Sequence, residues 1–214
     1  MIEHAVAATI HGRVLSRPAD GDAPWPVLIG FHGYAEPADI QLERLAAIPG
    51  SDRWLLVSIQ GLHRFYRGRS EEVVASWMTR QNRELAIGDN VAYVASVLDA
   101  LRGQYAIADR VVLAGFSQGV ATAFRAAPRV RARGVVALGG DVPPDVDAAS
   151  LARIPAVLLG RGRRDGWYTQ EKLDADVARL RAAGSDLTVL VTDAGHEWTD
   201  EFSRGAGEFL ERVG

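Results

Sequence analysis

Short apolar runs that alternate with helical patterns are the feature of this 214-residue chain that most restricts its fold. Continuous apolar runs, as at residues 27–31 and 111–114, predict strands that are buried on both faces. Between such runs, apolar residues recur at steps of three and four, as in residues 87–101, which predicts helices. The same patterns predict strands at residues 54–59, 134–138, 156–159 and 187–191, and helices that begin near Asp39, Gln118, Leu173 and Phe202. Strands and helices in this order form a mostly parallel sheet with helices on both faces, and ligands bind such a sheet at the carboxyl ends of its strands.

Four further predictions concern local features of the chain. Loose alternation over residues 5–15 predicts an N-terminal hairpin or edge strand. Asp39 is predicted to cap the first helix, and Pro128 is predicted to end the helix that starts at Gln118. Residues 61–81, which are rich in Arg and Gly, are predicted to form a long functional loop with one helical turn.

The composition is that of an ordinary globular domain, with 48% hydrophobic and 24% charged residues. We therefore expect residues 1–214 to form a single domain whose core is large enough to fold without disulfides. Cysteine is absent, which excludes disulfides, thiolate metal sites and cysteine nucleophiles and is typical of a reducing compartment. No signal peptide and no apolar run long enough to span a bilayer is found in the sequence, so we expect a cytoplasmic location.

The charged residues exclude two further classes of function. The 24 basic and 27 acidic residues leave a net charge of −3, so no general attraction to nucleic acid or to anionic membranes is expected. The single lysine, Lys172, follows Glu171 rather than a glycine, which excludes a Walker A phosphate-binding loop. No H-x-H or H-E-x-x-H spacing indicates a metal site, and neither a metal nor another cofactor is predicted.

The pattern G-x-S-x-G occurs at residues 115–119, directly after an apolar run and directly before an alanine-rich helical segment. This context predicts a strand–turn–helix elbow that carries a nucleophilic serine, Ser117. The two glycines are needed because a serine in a strained turn leaves little room for neighbouring Cβ atoms. The helix that follows places its positive end near the charge that develops when the serine attacks a carbonyl group.

A nucleophilic serine needs a base, and the base needs an acid that orients it. His196 is the only histidine after Ser117, and it follows the last predicted strand, where the base is expected. Asp165 follows the preceding strand and is the first choice for the acid. Asp141, at the end of an earlier strand, stays open as an alternative, whereas Asp193 shares the loop of the histidine and is poorly placed to approach the ring.

The oxyanion formed during attack needs two N–H donors. The backbone N–H of Gln118 is one expected donor, because this residue follows the nucleophile. The second is expected from the loop after residues 27–31, where Gly33 permits a tight turn that directs the Tyr34 N–H toward the oxyanion.

Four motifs can be compared together: residues 31–34, 115–119, 160–165 and 194–196. Ser117 and Asp165 are 48 positions apart, and His196 follows after a further 31. In these motifs and spacings the chain resembles the phospholipase/carboxylesterase family of α/β-hydrolases, compact serine esterases that include acyl-protein thioesterases. The resemblance extends from about Pro26 to the C-terminus.

The resemblance implies an α/β-hydrolase fold without a large lid and a catalytic triad of Ser117, Asp165 and His196. It also implies that the backbone N–H groups of Tyr34 and Gln118 form the oxyanion hole. The implied reaction is the hydrolysis of small-molecule carboxylic esters through an acyl-enzyme, with lysophospholipids and acyl thioesters as related substrates. No cofactor is implied, and a homodimer is the assembly to be tested.

The chain departs from that family where the substrate is expected to bind. Val120 replaces a further glycine after the elbow, and Trp167-Tyr168 stands where a Val-Pro pair is frequent. Residues 61–81 also lack the expected Trp-Phe/Tyr-Asp pattern. None of these departures touches the triad, but the resemblance does not determine the substrate class.

Aromatic residues near the motif loops predict an open cleft that prefers short or aromatic acyl groups. The predicted lining residues are Tyr34, Trp77, Phe116, Trp167 and Trp198. The loop at residues 61–81 also carries Arg64, Arg67 and Arg69, and paired hydrogen bonds from such side chains bind carboxylate or phosphate. Recognition of an anionic substrate and a solvated loop surface are both consistent with these three arginines.

Two alternatives to an esterase remain open at this point. A binding protein that keeps the fold would not need an intact triad. A small serine peptidase would use the same triad, but a chain of this length lacks room for a large specificity domain. Labelling by a fluorophosphonate separates a catalyst from a binding protein.

Overall fold

A seven-stranded sheet forms the centre of the computed structural model, which describes all 214 residues. The nine strands of the chain are β1 (Val14–Arg17), β2 (Trp25–Phe31), β3 (Leu55–Ile59), β4 (His63–Tyr66), β5 (Val73–Ser76), β6 (Ile107–Phe116), β7 (Gly134–Leu138), β8 (Ala156–Gly162) and β9 (Asp186–Thr192). The sheet order is β1-β3-β2-β6-β7-β8-β9, and β4 and β5 form a separate hairpin. Only β1 is antiparallel to its neighbour in the large sheet, which confirms the mostly parallel sheet that the apolar runs predict.

Helices cover both faces of the sheet. They are α1 (Ala38–Ala46), α2 (Arg83–Arg102), α3 (Gln118–Val130), α4 (Ala148–Leu151), α5 (Gln170–Ala182) and α6 (Asp200–Val213), with a short 3-10 helix at Ser51–Arg53. Buried side chains of α2, α3 and α5 pack on one face, and those of α1 and α6 pack on the other. None of these helices has both the length and the apolar composition that crossing a bilayer requires.

Strand β2 shows why the central strands are continuous apolar runs. Successive side chains of a strand point to opposite faces of the sheet. Val27 and Ile29 therefore pack toward α2 and α3, while Leu28 packs toward α1 and α6. Because both faces are covered, each of these three residues is fully buried.

The prediction of an irregular loop at residues 61–81 is wrong, because β4 and β5 form an antiparallel hairpin there. Every residue of β4 is exposed, so its sequence has no apolar alternation that would indicate a strand. Strand β5 is buried from Val74 to Ser76, and this single short run is too brief to predict a hairpin by itself.

Three predicted ends of helices and strands also differ from the structure. Helix α3 continues two residues beyond Pro128, so this proline lies in the last turn of the helix and does not end it. The N-cap of α1 is Pro37, and Asp39 lies within the first turn, where its charge still favours the helix N-terminus. No strand forms over residues 5–13, and the predicted edge strand is β1, which begins at Val14 and pairs with β3.

The parallel strands deliver the candidate residues to one edge of the sheet. Tyr34 follows β2, Ser117 follows β6 and Gly139 follows β7. Asp165 follows β8, and His196 follows β9. The connections between strands contain no large helical lid above this edge.

Candidate active site

Ser117 lies at the turn between β6 and α3 with φ +52° and ψ −118°. This backbone conformation is strained for a residue that has a side chain, and such strain is concentrated at functional sites. A Cβ on Gly115 would lie 2.6 Å from the Cα of Val120. A Cβ on Gly119 would lie 2.1 Å from the carbonyl oxygen of Phe31. The turn therefore requires glycine on both sides of the serine, as the G-x-S-x-G pattern predicts.

A chain of hydrogen bonds joins Ser117, His196 and Asp165. The His196 Nε2 atom lies 2.8 Å from Ser117 Oγ, and its Nδ1 atom lies 2.8 Å from Asp165 Oδ2. Because an ionised carboxylate only accepts hydrogen bonds, the neutral imidazole carries its proton on Nδ1. Nε2 is then free to accept the hydroxyl proton of the serine, as in Ser-His-Asp hydrolases.

The Asp165 carboxylate is held by the backbone of its own loop. The residue is only 3% exposed. Its Oδ1 atom accepts hydrogen bonds from the N–H groups of Trp167, at 2.8 Å, and Tyr168, at 3.0 Å. The buried Tyr168 in turn donates its hydroxyl to Asp176 at 3.0 Å. These bonds satisfy the buried charge and fix the direction in which Oδ2 faces the imidazole.

Neither alternative acid contacts the imidazole. Asp141 pairs with Lys172 at 3.4 Å, and the two side chains are about half exposed. Asp193 pairs with Arg164 on the surface. The geometry thus selects Asp165 as the hydrogen-bond partner of His196.

The imidazole is confined by an aromatic ring and by a bare segment of backbone. The rings of His196 and Phe116 have centroids 5.1 Å apart. Gly139 has a φ of +68°, and a Cβ on it would lie 3.1 Å from His196 Cε1 and 3.4 Å from Asp165 Oδ2. Gly139 was not predicted as a site residue, although its position directly after β7, in a Gly-Gly pair, was an available signal.

Two backbone N–H groups on the loops after β2 and β6 are free to bind an oxyanion. Gln118 is the first residue of α3, where N–H groups lack an intrahelical acceptor. The Tyr34 N–H donates no hydrogen bond, although both of its neighbours do. The Gly33 N–H donates to Glu36 Oε2 at 2.8 Å, and the Ala35 N–H donates to a carbonyl of β5 at 3.0 Å. A free donor on a loop pinned at both sides is what an oxyanion hole requires.

Glu36 connects this loop to helix α1 through Arg44. The guanidinium donates to both carboxylate oxygens, at 2.6 and 2.8 Å. Burial acts to raise the pKa of Glu36, but the hydrogen bonds from Arg44 and from the Gly33 N–H outweigh burial and hold that pKa below its ordinary value. Arg44 also lies 4.2 Å from the centroid of the Phe116 ring, which packs against His196. One ion pair therefore supports both the oxyanion loop and the ring beside the base.

Comparison with known proteins identifies the fold. No family sequence model matches the chain, and no curated protein matches it by sequence. Esterase PE8 is 22% identical, with a TM-score of 0.73 over 95% of this chain and 100% of that chain. Zea mays acyl-protein thioesterase 2 is 17% identical, with a TM-score of 0.73 over 95% of this chain and 99% of that chain. A Bacillus cereus carboxylesterase is 17% identical, with a TM-score of 0.70 over 95% of both chains.

This chain has the α/β-hydrolase fold. The likeness extends over nearly the whole length of these structures, so the fold that the motifs imply is confirmed. Within this fold the Ser117 elbow lies between β6 and α3.

A buried histidine, His32, joins two loops beside the elbow. Its Nδ1 donates to the carbonyl of Gly33 at 2.7 Å, and its Nε2 accepts from the N–H of Gly61 at 3.0 Å. Burial lowers the pKa of His32, so the ring is neutral at pH 7 and can play both roles. His32 thus holds the loop after β2 against the loop after β3.

Trp77 does not line the groove beside Ser117, so its prediction as a cleft-lining residue is wrong. Its side chain is fully buried and packs against the rings of Phe31 and His32. Its backbone N–H donates to Gln118 Oε1 at 2.9 Å, while Gln118 Nε2 donates to the carbonyl of Met78 at 3.2 Å. The Gln118 side chain therefore ties the end of the hairpin to the elbow, and the Trp77 indole packs behind this contact.

A groove of about 340 Å³ opens beside Ser117, on the face of α3 that carries Gln118 and Ala121. Thirteen residues line it, of which three are hydrophobic. Its charged lining residues are Arg83, Arg125, Asp141 and Lys172. None of the three cations was predicted to line the site, although Arg125, seven positions after Gln118, is expected on the same helix face. The groove is therefore more polar than the aromatic cleft that was predicted.

The other predicted aromatic residues take different places. Trp167, which is 77% exposed, is the one whose side chain lines the groove. Tyr34 is also exposed and packs against Phe65 of the hairpin, with ring centroids 5.8 Å apart. Phe116 is buried and packs against Trp198 at 6.5 Å between centroids. Phe116 and Trp198 thus support the site from below instead of walling the groove.

The three hairpin arginines do not line the groove. Arg64 donates to the carbonyl of His11 at 3.0 Å, and Arg67 donates to the carbonyl of Ala35 at 2.6 Å. Arg69 lies exposed in the turn of the hairpin. This placement favours a solvated hairpin surface over recognition of an anion at the serine.

Proposed function

We propose that this chain is a serine esterase that hydrolyses carboxylic esters through an acyl-enzyme. The observation that carries the proposal is the unbroken hydrogen-bond chain from Asp165 through His196 to Ser117. The strained elbow and the free N–H groups of Tyr34 and Gln118 supply the remaining parts of such a site. Carboxylesterases and an acyl-protein thioesterase among the structural neighbours support the same reaction class.

In the first half of the reaction, Ser117 Oγ attacks the ester carbonyl carbon while His196 Nε2 takes the hydroxyl proton. The carbonyl oxygen becomes an oxyanion and accepts hydrogen bonds from the Tyr34 and Gln118 N–H groups. The C–O bond to the alcohol then breaks, and His196 returns the proton to the departing alkoxide. Asp165 stabilises the imidazolium formed between these steps and keeps the proton of the neutral ring on Nδ1.

In the second half, water attacks the acyl-enzyme. His196 Nε2 accepts a proton from the water, and the same two N–H groups stabilise the second oxyanion. The bond between the acyl carbon and Ser117 Oγ then breaks, the serine regains its proton, and the carboxylic acid leaves. Serine, imidazole and backbone donors supply every group in this scheme, so we propose no cofactor.

The proposed substrates are small carboxylic esters, with acyl thioesters and lysophospholipids as further classes to be tested. A short groove with few hydrophobic lining residues favours small acyl groups over long apolar chains. We also propose a single domain over residues 1–214, a cytoplasmic location, a homodimer to be tested by light scattering, and no nucleic-acid partner.

The deciding experiment combines labelling and turnover. The wild-type protein should react covalently with a fluorophosphonate and should hydrolyse p-nitrophenyl acetate or butyrate, because both reactions need an activated serine. Ser117→Ala should lose both activities and stay folded, as judged by circular dichroism. Ser96→Ala, at an exposed serine on α2, is the matched control and should keep both. Residual turnover of Ser117→Ala within tenfold of wild type would exclude this serine as the nucleophile, and a folded wild type without labelling would favour a binding protein.

A further inference from the structure

Three cationic side chains converge on the groove beside Ser117. Arg83 begins α2, Arg125 lies in the middle of α3, and Lys172 lies in the first turn of α5. One acidic residue, Asp141, also lines the groove. A second, Asp145, accepts hydrogen bonds from Arg125 at 2.6 and 2.7 Å and lies 3.7 Å from Arg83. Within the lining itself three cations face one anion, Asp141, while Asp145 and Glu84 pair with Arg125 and Arg83 from beside the groove.

Arg125 has an unused donor next to this groove. Its side chain is only 5% exposed, and Asp145 accepts from its Nε and Nη2 atoms. Its Nη1 atom is buried and has no hydrogen-bond partner. A buried donor of a charged group without an acceptor is rare in native structures, and the chain itself supplies no acceptor for this one. The Asp145 pair holds the guanidinium in place before any ligand arrives.

The position of Arg125 relative to the elbow sets the length of a ligand that reaches both. Arg125 lies seven residues after Gln118 on the same face of α3, which is about 10 Å along the helix axis. Side chains of an α-helix lean toward its N-terminus, which for Arg125 is the direction of Ser117. A substrate of a few carbon atoms can therefore present its ester to the serine and a second group to the arginine.

The other two cations can exchange their present partners easily. The Arg83 side chain is 40% exposed and pairs with Glu84, whose side chain is 80% exposed, at 2.9 Å. Lys172 is 46% exposed and lies 3.4 Å from Asp141. Exposed ion pairs of this kind contribute little stability. A ligand carboxylate can replace the acidic partner of either cation at small cost.

We propose that the substrates of this site are esters that carry a carboxylate a few atoms from the scissile bond. This proposal rests on the esterase activity proposed above. Such compounds are half-esters of dicarboxylic acids or acyl esters of hydroxy acids. A substrate carboxylate that replaces Glu84 or Asp141 exchanges one singly charged partner of these cations for another. The forked donors of the two arginines also fit the geometry of a carboxylate.

The test compares each anionic ester with a neutral compound of the same shape. Ethyl hydrogen glutarate, with the carboxylate on the acyl side, is compared with its primary amide, ethyl glutaramate. 4-Acetoxybutanoate, with the carboxylate on the alcohol side, is compared with 4-acetoxybutanamide. Proton release in a pH-stat at low ionic strength gives kcat/KM for all four. We expect the carboxylate to be preferred at least tenfold in one pair, and this preference should fall as NaCl is added, because salt screens the attraction.

Variants connect the preference to the groove. For the pair in which the carboxylate is preferred, the carboxylate/amide ratio is kcat/KM for the carboxylate divided by kcat/KM for the amide. The double variant Arg83→Gln, Lys172→Gln should lower this ratio at least fivefold. Asp141→Asn should raise that ratio, because it removes a negative charge beside Lys172. The matched control is Arg102→Gln, Arg181→Gln, which removes the same charge from exposed positions at the other ends of α2 and α5. The 20 residues of α2 span about 30 Å, so this control should leave the ratio within twofold of wild type.

The outcomes separate this proposal from the esterase proposal on which it rests. If the wild-type serine is labelled by a fluorophosphonate but both carboxylate/amide ratios are at or below one, carboxylate selection is overturned and the esterase proposal stands. An equal fall of the ratio in the groove variant and in its matched control also overturns carboxylate selection, since net charge alone would then explain it. If no serine labelling occurs and none of the four esters is hydrolysed, both proposals fail.

Discussion

Gly139 packs so closely against His196 that a Cβ built on this glycine would lie 3.1 Å from the imidazole Cε1 and 3.2 Å from Nδ1. The backbone of Gly139 also has a φ of +68°, which residues with a side chain rarely adopt. A backbone segment at the end of β7 therefore limits where the proposed base can lie, although it forms no hydrogen bond with the ring.

We expect Gly139→Ala to lower kcat about tenfold, because the added Cβ displaces the ring by a few tenths of an ångström and weakens the alignment of a near-attack geometry. The variant should also lose about 1–2 kcal/mol of stability from its strained backbone. Gly184→Ala is the matched control, since its φ is +82° and its Cβ would meet no atom within 4 Å. It should lose similar stability and keep kcat. Steady-state kinetics and urea unfolding check both variants, and a Gly139→Ala enzyme with kcat within threefold of wild type would contradict the argument.

Asp165→Asn should lower kcat by about 10⁴-fold with little change in the fold. The reason is that an amide in place of the carboxylate no longer keeps the imidazole in the tautomer that carries its proton on Nδ1. Measuring kcat/KM with p-nitrophenyl butyrate checks this expectation. Asp193→Asn serves as the control and should retain wild-type activity, since Asp193 pairs with Arg164 on the surface. Comparable losses in the two variants would remove the special role of Asp165.

Glu36→Gln should destabilise the fold by about 2 kcal/mol at pH 7, because it weakens two hydrogen bonds from Arg44. The pKa of Glu36 is below its ordinary value in the fold, so this stabilisation is complete above the ordinary value of about 4.3 and is lost as pH falls through the folded value. The stability difference between wild type and variant should therefore narrow below pH 4. Urea unfolding between pH 3 and pH 8 measures it.

A control for that titration is Glu211→Gln, which breaks an exposed pair with Arg53 at 3.5 Å. Its free energy of unfolding should stay close to that of wild type at every pH, as for most surface ion pairs. In Glu36→Gln we also expect kcat to fall more than KM rises, since the loosened loop carries the Tyr34 N–H. A stability difference for Glu36→Gln that stays constant down to pH 3 would be the contrary result.

The size and polarity of the groove predict a preference for short acyl chains. With p-nitrophenyl esters from acetate to palmitate, kcat/KM should be highest for acetate or butyrate and at least tenfold lower for palmitate. A groove of about 340 Å³ with three hydrophobic lining residues buries little of a long chain. Faster turnover of palmitate than of butyrate would show that another surface holds the acyl group.

The elbow could be predicted from the sequence because its requirements are local. Gly115 and Gly119 are each dictated by a clash with atoms that any strand–turn–helix of this kind brings together. The order of strands and helices was predictable for a similar reason, since burial on both faces gives a continuous apolar run. Strand β4 could not be found this way, because all four of its residues are exposed and carry no periodic signal.

Side-chain direction was the main source of error around the site. Trp77 follows a buried strand near the motif loops, which made it a candidate for the cleft, but its indole points into the core between Phe31 and His32. Position along the chain indicates which loop carries a residue, whereas packing against other segments decides which way the side chain points.

The sequence by itself determined the fold class, the serine, the single downstream histidine and the short set of acids from which its partner had to come, because these depend on local glycine requirements and on strand order. Only the tertiary structure decided between Asp165 and Asp141, since the choice depends on which carboxylate lies within 2.8 Å of an imidazole 31 residues away. The cationic groove likewise exists only in the folded chain. Arg83, Arg125 and Lys172 lie on three helices that are far apart in sequence, and the sheet brings them together beside one serine.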